Sequence, residues 1–206
     1  VSIWRTTNSN ESIKIPTDNT LSYNYTINLG DGTEEVRTSS NSPSHNYATP
    51  GDHTVTITGT FPSIKFIDSG HKNKIISIPN LGNVGWTSFY NAFNSCSNLT
   101  TVSGGDTSNV TNMRAMFAGA TSVVPDTSGW DTSNVTTMRN MFYGATIANP
   151  DTSNWDTSNV TKMNQMFDGA INANPDVRNW DIGNVTNMIS IFNNSGISDE
   201  NYSRFL

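Results

Sequence analysis

Asp106-Thr107-Ser108-Asn109-Val110-Thr111-Asn112-Met113 is the phrase on which the fold turns. It returns as Asp131 to Met138, as Asp156 to Met163 and, altered to Asp181-Ile182-Gly183-Asn184-Val185-Thr186-Asn187-Met188, a fourth time. Each return comes 25 residues after the last, with no insertion. A unit this short cannot bury its own apolar face, so a constant period predicts one structural unit per repeat, each stacked on its neighbour as a coil of a solenoid.

Within each repeat, columns of like residues recur. Val110, Val135, Val160 and Val185 are followed by Met113, Met138, Met163 and Met188, then by Phe117, Phe142, Phe167 and Phe192. Met and Phe four residues apart share one face of a helical turn, so the spacing predicts a short helix in each coil, held by packing on a strand layer. Together these columns form the expected core. Trp130, Trp155 and Trp180 also fall in register, with Gly105 at that position of the first repeat. They have two readings, core packing or an exposed indole strip for a sugar or protein.

Asn109, Asn134, Asn159 and Asn184 precede the valines, where a buried amide bonds backbone in its own and the adjacent coil. All four also sit in Asn-Val-Thr sequons, which a structural column explains better than glycans crowding one edge. Pro125, Pro150 and Pro175 mark the start of each strand, and Gly119, Gly144 and Gly169 end the helical turns. Two aspartate columns remain, 126/151/176 and 106/131/156/181. Like charges ~4.8 Å apart repel unless they cap local backbone donors or hold something cationic, and both readings stand.

Upstream, residues 1–66 carry short β stretches at Ser2 to Arg5, Ser12 to Ile15, Tyr23 to Leu29, Glu34 to Arg37 and His53 to Thr60, separated by Gly and Pro turns. Tyr23, Tyr25, Ile27 and Leu29 alternate with polar residues, the mark of a half-buried strand in a small sandwich. Ile64 to Ile67 and Ile75 to Pro79 are expected as strands closing the end of the solenoid, with Asp68 to Asn73 a polar loop between them. Ser198 is expected to open a capping helix in which Ile197, Tyr202, Phe205 and Leu206 cover the last coil.

Composition limits the function. Hydrophobic residues make up 34% of the 206-residue chain and charged ones 14%, with a net charge of −6. Residues 76–206 hold five basic against ten acidic side chains, which disfavours nucleic acid and anionic lipid as partners. Cys96 is the only cysteine, expected as a small core residue between Phe93 and Leu99. No apolar run approaches the ~20 residues of a membrane-spanning helix. The first residue, Val1, is expected to mark a mature or excised fragment.

The run Ile27-Asn28-Leu29-Gly30-Asp31-Gly32-Thr33, followed by His45 to Ile57, resembles the PKD-type β-sandwich, with Leu29 where tryptophan is usual. Asp31 is expected as a turn residue, since one carboxylate falls short of the six to eight oxygens calcium takes. Ala92-Phe93-x-x-Cys96-x-x-Leu99 resembles the BspA-like leucine-rich repeat. The four later phrases resemble the related Mycoplasma-lipoprotein-type repeat. These likenesses imply a mainly β chain with short helices, a PKD-like sandwich over 1–66 and a leucine-rich-repeat-like solenoid over 67–206 with a carboxy-terminal capping helix. They also imply a bacterial cell-surface or secreted protein, with adhesion associated with the BspA-like group.

No metal-binding, nucleophile-elbow or phosphate-cradling phrase is present, and periodic carboxylates do not converge on one point, so the expectation is a non-enzyme without cofactor or metal. The expected function is binding of an extracellular or host protein, with a surface glycan or a purely structural stalk as alternatives. Asp131, Ser133, Asp156, Ser158 and Asp181, on the segments expected to face outward from the strands, are the candidate recognition residues.

Overall fold

The computed structural model describes residues 1–67 and 70–205. Six strands build the amino-terminal module: β1 (Ser2–Thr6), β2 (Glu11–Lys14), β3 (Asn24–Asn28), β4 (Glu34–Arg37), β5 (Ser44–Tyr47) and β6 (Gly51–Thr60). Tyr25 and Ile27 are buried while Asn24 and Asn28 are exposed, as their alternation predicts. The long strand β6 serves two partners, pairing antiparallel with β1 through Gly51 to Val55 and with β3 through Thr56 to Thr60. Gly59 is needed in that second pairing, because it has a φ of 90° and a side chain there would meet the Asn24 carbonyl at 2.7 Å. Opposite, β2 and β5 form a separate two-stranded sheet that buries Ile13 and Tyr47. Strand β5, absent from the expected stretches, runs between Pro43 and Pro50, and its Tyr47 hydroxyl donates to the Leu29 carbonyl at 2.7 Å.

Strand β7 (Ile75–Ile78) joins the two halves. It runs antiparallel to β1 on one side and parallel to β8 (Thr101–Val102) on the other, and β8 pairs in parallel with β9 (Val124–Pro125). The sheet order is β4-β3-β6-β1-β7-β8-β9. The edge of the first repeat is therefore covered by β1, not closed by the 64–78 segment alone. Residues 64–67 are not a strand: the Lys65 amide donates to Pro16 O and the Phe66 amide to Asn91 O, two separate segments instead of one ladder. Of the expected loop between them, Asp68 and Ser69 lie outside the described residues.

Beyond β7 the repeats stack. Parallel bridges run Ser88 to Asn112 to Thr137 to Lys162 to Asn187, one per repeat. The Met-to-Phe segment corrects the expected helical turn. Met113, Ala115, Phe117 and Gly119 donate forward to Thr137, Arg139, Met141 and Tyr143, while Met116, Ala118 and Ala120 donate three residues back. A helix would spend its amides within the repeat, whereas this chain of tight turns sends every second amide to the next repeat. The geometry requires positive φ at Ala115 (53°) and Gly119 (68°), repeated at Asn140 and Gly144 and at Gln165 and Gly169.

The apolar columns meet as expected. Phe93, Phe117, Phe142, Phe167 and Phe192 stack with ring centroids 5.7, 5.4, 5.3 and 6.0 Å apart. The only helix among the described residues, α1 (Asp199–Phe205), is capped by Ser198, whose hydroxyl accepts the Asn201 amide at 3.3 Å. Phe205 sits 5.1 Å from the Phe192 ring and 6.4 Å from Trp180, covering the last repeat. Leu206, expected in the same cap, is outside the described residues.

Candidate functional site

The segments 126–134, 151–159 and 176–184 are pairs of tight turns, not strand faces; the strand precedes them, as at Val124–Pro125. Each turn starts at an aspartate. Asp131 Oδ1 accepts the Ser133 amide at 2.9 Å and its hydroxyl at 2.6 Å, Asp156 accepts the Ser158 amide at 2.9 Å, and Asp181 accepts the Gly183 amide at 2.9 Å. Asp106, Asp126 and Asp151 do the same with Ser108, Ser128 and Ser153. The serine hydroxyl, then its amide, holds the Asp106, Asp126, Asp151 and Asp156 carboxyls below their ordinary range. Asp176 is drawn down to about 2, first by Arg178, which chelates it. Capping is thus what each column does locally, and it offsets the repulsion along the column.

Those turns are fastened to the next repeat by threonines whose burial the phrase alone did not reveal. Thr107, Thr132 and Thr157 are buried and donate to Asp131 O, Asp156 O and Asp181 O, each at 2.9 Å. Thr127 and Thr152 do the same in the other column, reaching Asp151 O at 2.6 Å and Asp176 O at 2.7 Å. The signal was the Thr-Ser that follows Asp in both columns. Asn134, Asn159 and Asn184 donate through Nδ2 to the carbonyls of Ser108, Ser133 and Ser158 at 2.8, 2.7 and 2.7 Å. They link repeats as expected, but from exposed side chains instead of buried ones. Asn109 reaches only the Ser108 hydroxyl, at 3.5 Å.

The five candidate residues come together. Asp131, Asp156 and Asp181 form an exposed column along one edge, and Ser133 and Ser158 lie half-buried behind it. The tryptophans are not part of any exposed strip: Trp130 and Trp155 are 3% and 2% exposed, and Trp180 is half-buried under α1. Their indole N–H groups have no acceptor among the described residues, so packing outweighs the unmade bond. Cys96 is fully buried and burial pushes its thiol up to about 12, which makes it unreactive. Asp31 accepts the Thr33 amide at 3.0 Å, the expected turn role, and also pairs with His45 Nε2 at 2.7 Å, drawn by that bond down to about 2. Among the described residues no group of three or more His, Cys, Asp or Glu side chains is placed to hold a metal ion.

Two sheets continued by a stack of regular repeats define a mainly β protein with a PKD-type head. Residues 8–62 match the PKD domain, and residues 87–205 match the family described as "Mycoplasma protein of unknown function, DUF285". The second match spans more than half of the chain, and the chain belongs to that family. No curated protein and no solved structure matches it. Among the described residues no helix is long and apolar enough to cross a membrane. The two matches are compatible with a module of a surface protein.

Proposed function

We propose that this chain is a non-catalytic interaction module of an extracellular or cell-surface protein, and that its repeats form a BspA-like, leucine-rich-repeat-type solenoid that binds an extracellular or host protein as an adhesin does. The observation that carries this reading is the exposed Asp131, Asp156 and Asp181 column, which presents one chemistry at regular intervals from turns tied down by buried threonines. Repeated weak contacts on a rigid edge suit an extended partner. The stalk alternative is weakened by dimensions: each repeat advances the stack by about 4.8 Å, whereas the same residues fully extended would reach roughly 80 Å. Such a stack multiplies surface far more than length.

The test is a binding screen of the whole chain on immobilised extracellular-matrix proteins and a glycan array. The whole chain is used because a fragment starting at β7 would bare the strand edge that β1 covers. Saturable protein binding that is weakened by reversing the charges of Asp131 and Asp156 supports the adhesin. Silence from a folded chain favours the stalk.

A further inference from the structure

The turn edge is acidic, but the ladder side of the same repeats is not. The chain has eleven lysines and arginines, and six of them are in ion pairs with carboxylates: Arg5, Arg37, Lys65, Lys74, Arg178 and Arg204. Of the five left, Arg114, Arg139 and Lys162 line a single cleft of about 240 Å³ over three successive repeats. In a chain with seventeen carboxylates, three cations without an ion pair among the described residues, gathered at one place, are the outstanding charge feature of the repeats. Sequence columns hide the grouping, because Arg114 and Arg139 share a repeat position and Lys162 stands two places earlier, in the column of Asn112 and Thr137.

Polar groups complete the lining. Thr136 and Thr161 donate to the carbonyls of Thr111 and Thr136 at 3.1 Å, which leaves their oxygens able to accept. Asn112 accepts the Arg114 amide through Oδ1 at 2.9 Å, and its Nδ2 makes no bond among the described residues. Arg139 is steadied by a bond from Nε to Asn140 Oδ1 at 3.0 Å, which leaves its terminal nitrogens to donate elsewhere. The strip continues past the cleft, where the Arg114 guanidinium lies 5.4 Å from the centre of the Tyr90 ring and Lys65 Nζ lies 5.0 Å from it.

We propose that this cleft is a binding site for an acidic oligosaccharide, one that carries carboxylate or sulfate groups along its length. In-register repeats set Arg114 and Arg139 about 4.8 Å apart, close enough for both to meet charged groups of one sugar chain running across the repeats. Threonine hydroxyls and the Asn112 amide match sugar hydroxyls, which donate and accept in turn. The lining carries no apolar anchor of the kind on which protein partners depend. A nucleic acid, with a charge about every 1.7 Å of its axis, would bring far more negative charge than three cations offset, beside an acidic edge. The site is separate from the aspartate column, so it stands or falls independently of the adhesin reading.

The experiment is calorimetric titration of the whole chain with a heparin-derived hexasaccharide, with an oligogalacturonate of similar length and with inorganic polyphosphate. Each titration is made at about 50 mM and about 200 mM salt, a range over which ionic contacts weaken measurably. The expected result is saturable binding of at least one of the two oligosaccharides. It should weaken with salt and fall at least about tenfold in R114Q/R139Q/K162Q, a loss of about 1.4 kcal/mol. The variant R178Q/R204Q, which removes two cations held in ion pairs elsewhere, should bind within about twofold of the parent on the same scale. K162Q alone alters one exposed side chain and should weaken binding with the circular dichroism spectrum unchanged, which guards against a misfolded triple variant. Preference for the hexasaccharide or the oligogalacturonate assigns sulfate or carboxylate. Absence of saturable binding to both at low salt, unchanged binding by the triple variant, or polyphosphate bound as tightly as either sugar would each overturn the proposal.

Discussion

The two halves of the molecule manage their carboxylates differently. In the amino-terminal module acids meet a basic side chain brought from elsewhere in the chain, Asp52 with Arg5, Asp18 with Lys65, Glu11 with Lys74 and Asp31 with the His45 ring, with Asp18 and Asp31 also capping the Thr20 and Thr33 amides two residues on. In the repeats every acid of the two columns meets the backbone two residues on, as Asp156 meets the Ser158 amide, and Asp176 adds the Arg178 guanidinium to that bond. The first arrangement depends on the fold being complete, because its partners are distant in sequence. The second is made within one turn and can be repeated without limit. Cores divide the same way, since Trp4 and Tyr47 pack their rings on unlike residues while Phe93, Phe117, Phe142, Phe167 and Phe192 each lie against another phenylalanine.

The sharpest way to break this contrast is to interrupt a column. Phe142 is fully buried between Phe117 and Phe167, and Phe142→Ala is expected to cost about 3–5 kcal/mol in urea unfolding. Should the loss stay confined to one repeat, with exchange protection of the neighbours intact, the column is a row of independent contacts and not a continuous core. Next in size is Thr132→Val, which preserves shape but leaves the Asp156 carbonyl without its buried donor, an expected loss of about 1–3 kcal/mol. A change under a few tenths would mean that water replaces the hydroxyl.

Asp156→Ala removes a turn cap and should cost about 0.5–1 kcal/mol, almost independent of salt. Asp52→Ala, which breaks an ion pair whose partners are 54% and 46% exposed, should cost less, and less still as salt rises. Equal salt dependence in the two would erase the distinction between the halves.

Acid should separate them too. Burial holds His53 and His71 below the ordinary histidine value, so the unfolded chain takes up their protons first. Their contribution is complete above about pH 6.5 and is lost as pH falls through their lowered folded values. Glu11, drawn to about 2 chiefly by Lys74, and Asp31, drawn to about 2 by His45, contribute stability that is present above about pH 4 and lost as pH falls toward those values. Asp126 and Asp151 follow the same lower limb. Residue-resolved amide exchange from pH 8 downward should therefore show the amino-terminal module loosening near pH 6.5 and the repeats only near pH 4. His53→Gln should shrink the upper limb, and one common onset would refute the assignment.

Much of this was legible in the sequence because the repeat enforces it. A period of 25 with no insertion fixes which residues form columns, so the Val, Met and Phe core and the asparagine links could be named before any geometry, whereas the tryptophan column admits both core packing and an exposed strip until the burial of Trp130 and Trp155 decides it. Backbone conformation within each repeat was not legible. Met and Phe four apart read as a helix, and only the demand for bonds to the next repeat, met by positive φ at Ala115, Asn140, Gln165 and Ser190, replaces it with turns. Nor was the cleft, because Arg139 and Lys162 become neighbours through pairing across repeats, which spacing along the chain does not encode.

Strand β7 pairs with β1 on one side and β8 on the other, so no slack tether separates head from stack. A pull between the two loads the short pairing of β1 with β7 directly. The joint transmits torque as well as tension, and the compass directions in which the acidic edge and the basic cleft point are set by how the head is held. If the head is immobilised on a surface, the repeats become an aimed lever, and each repeat added would extend the same two faces in step with those already there.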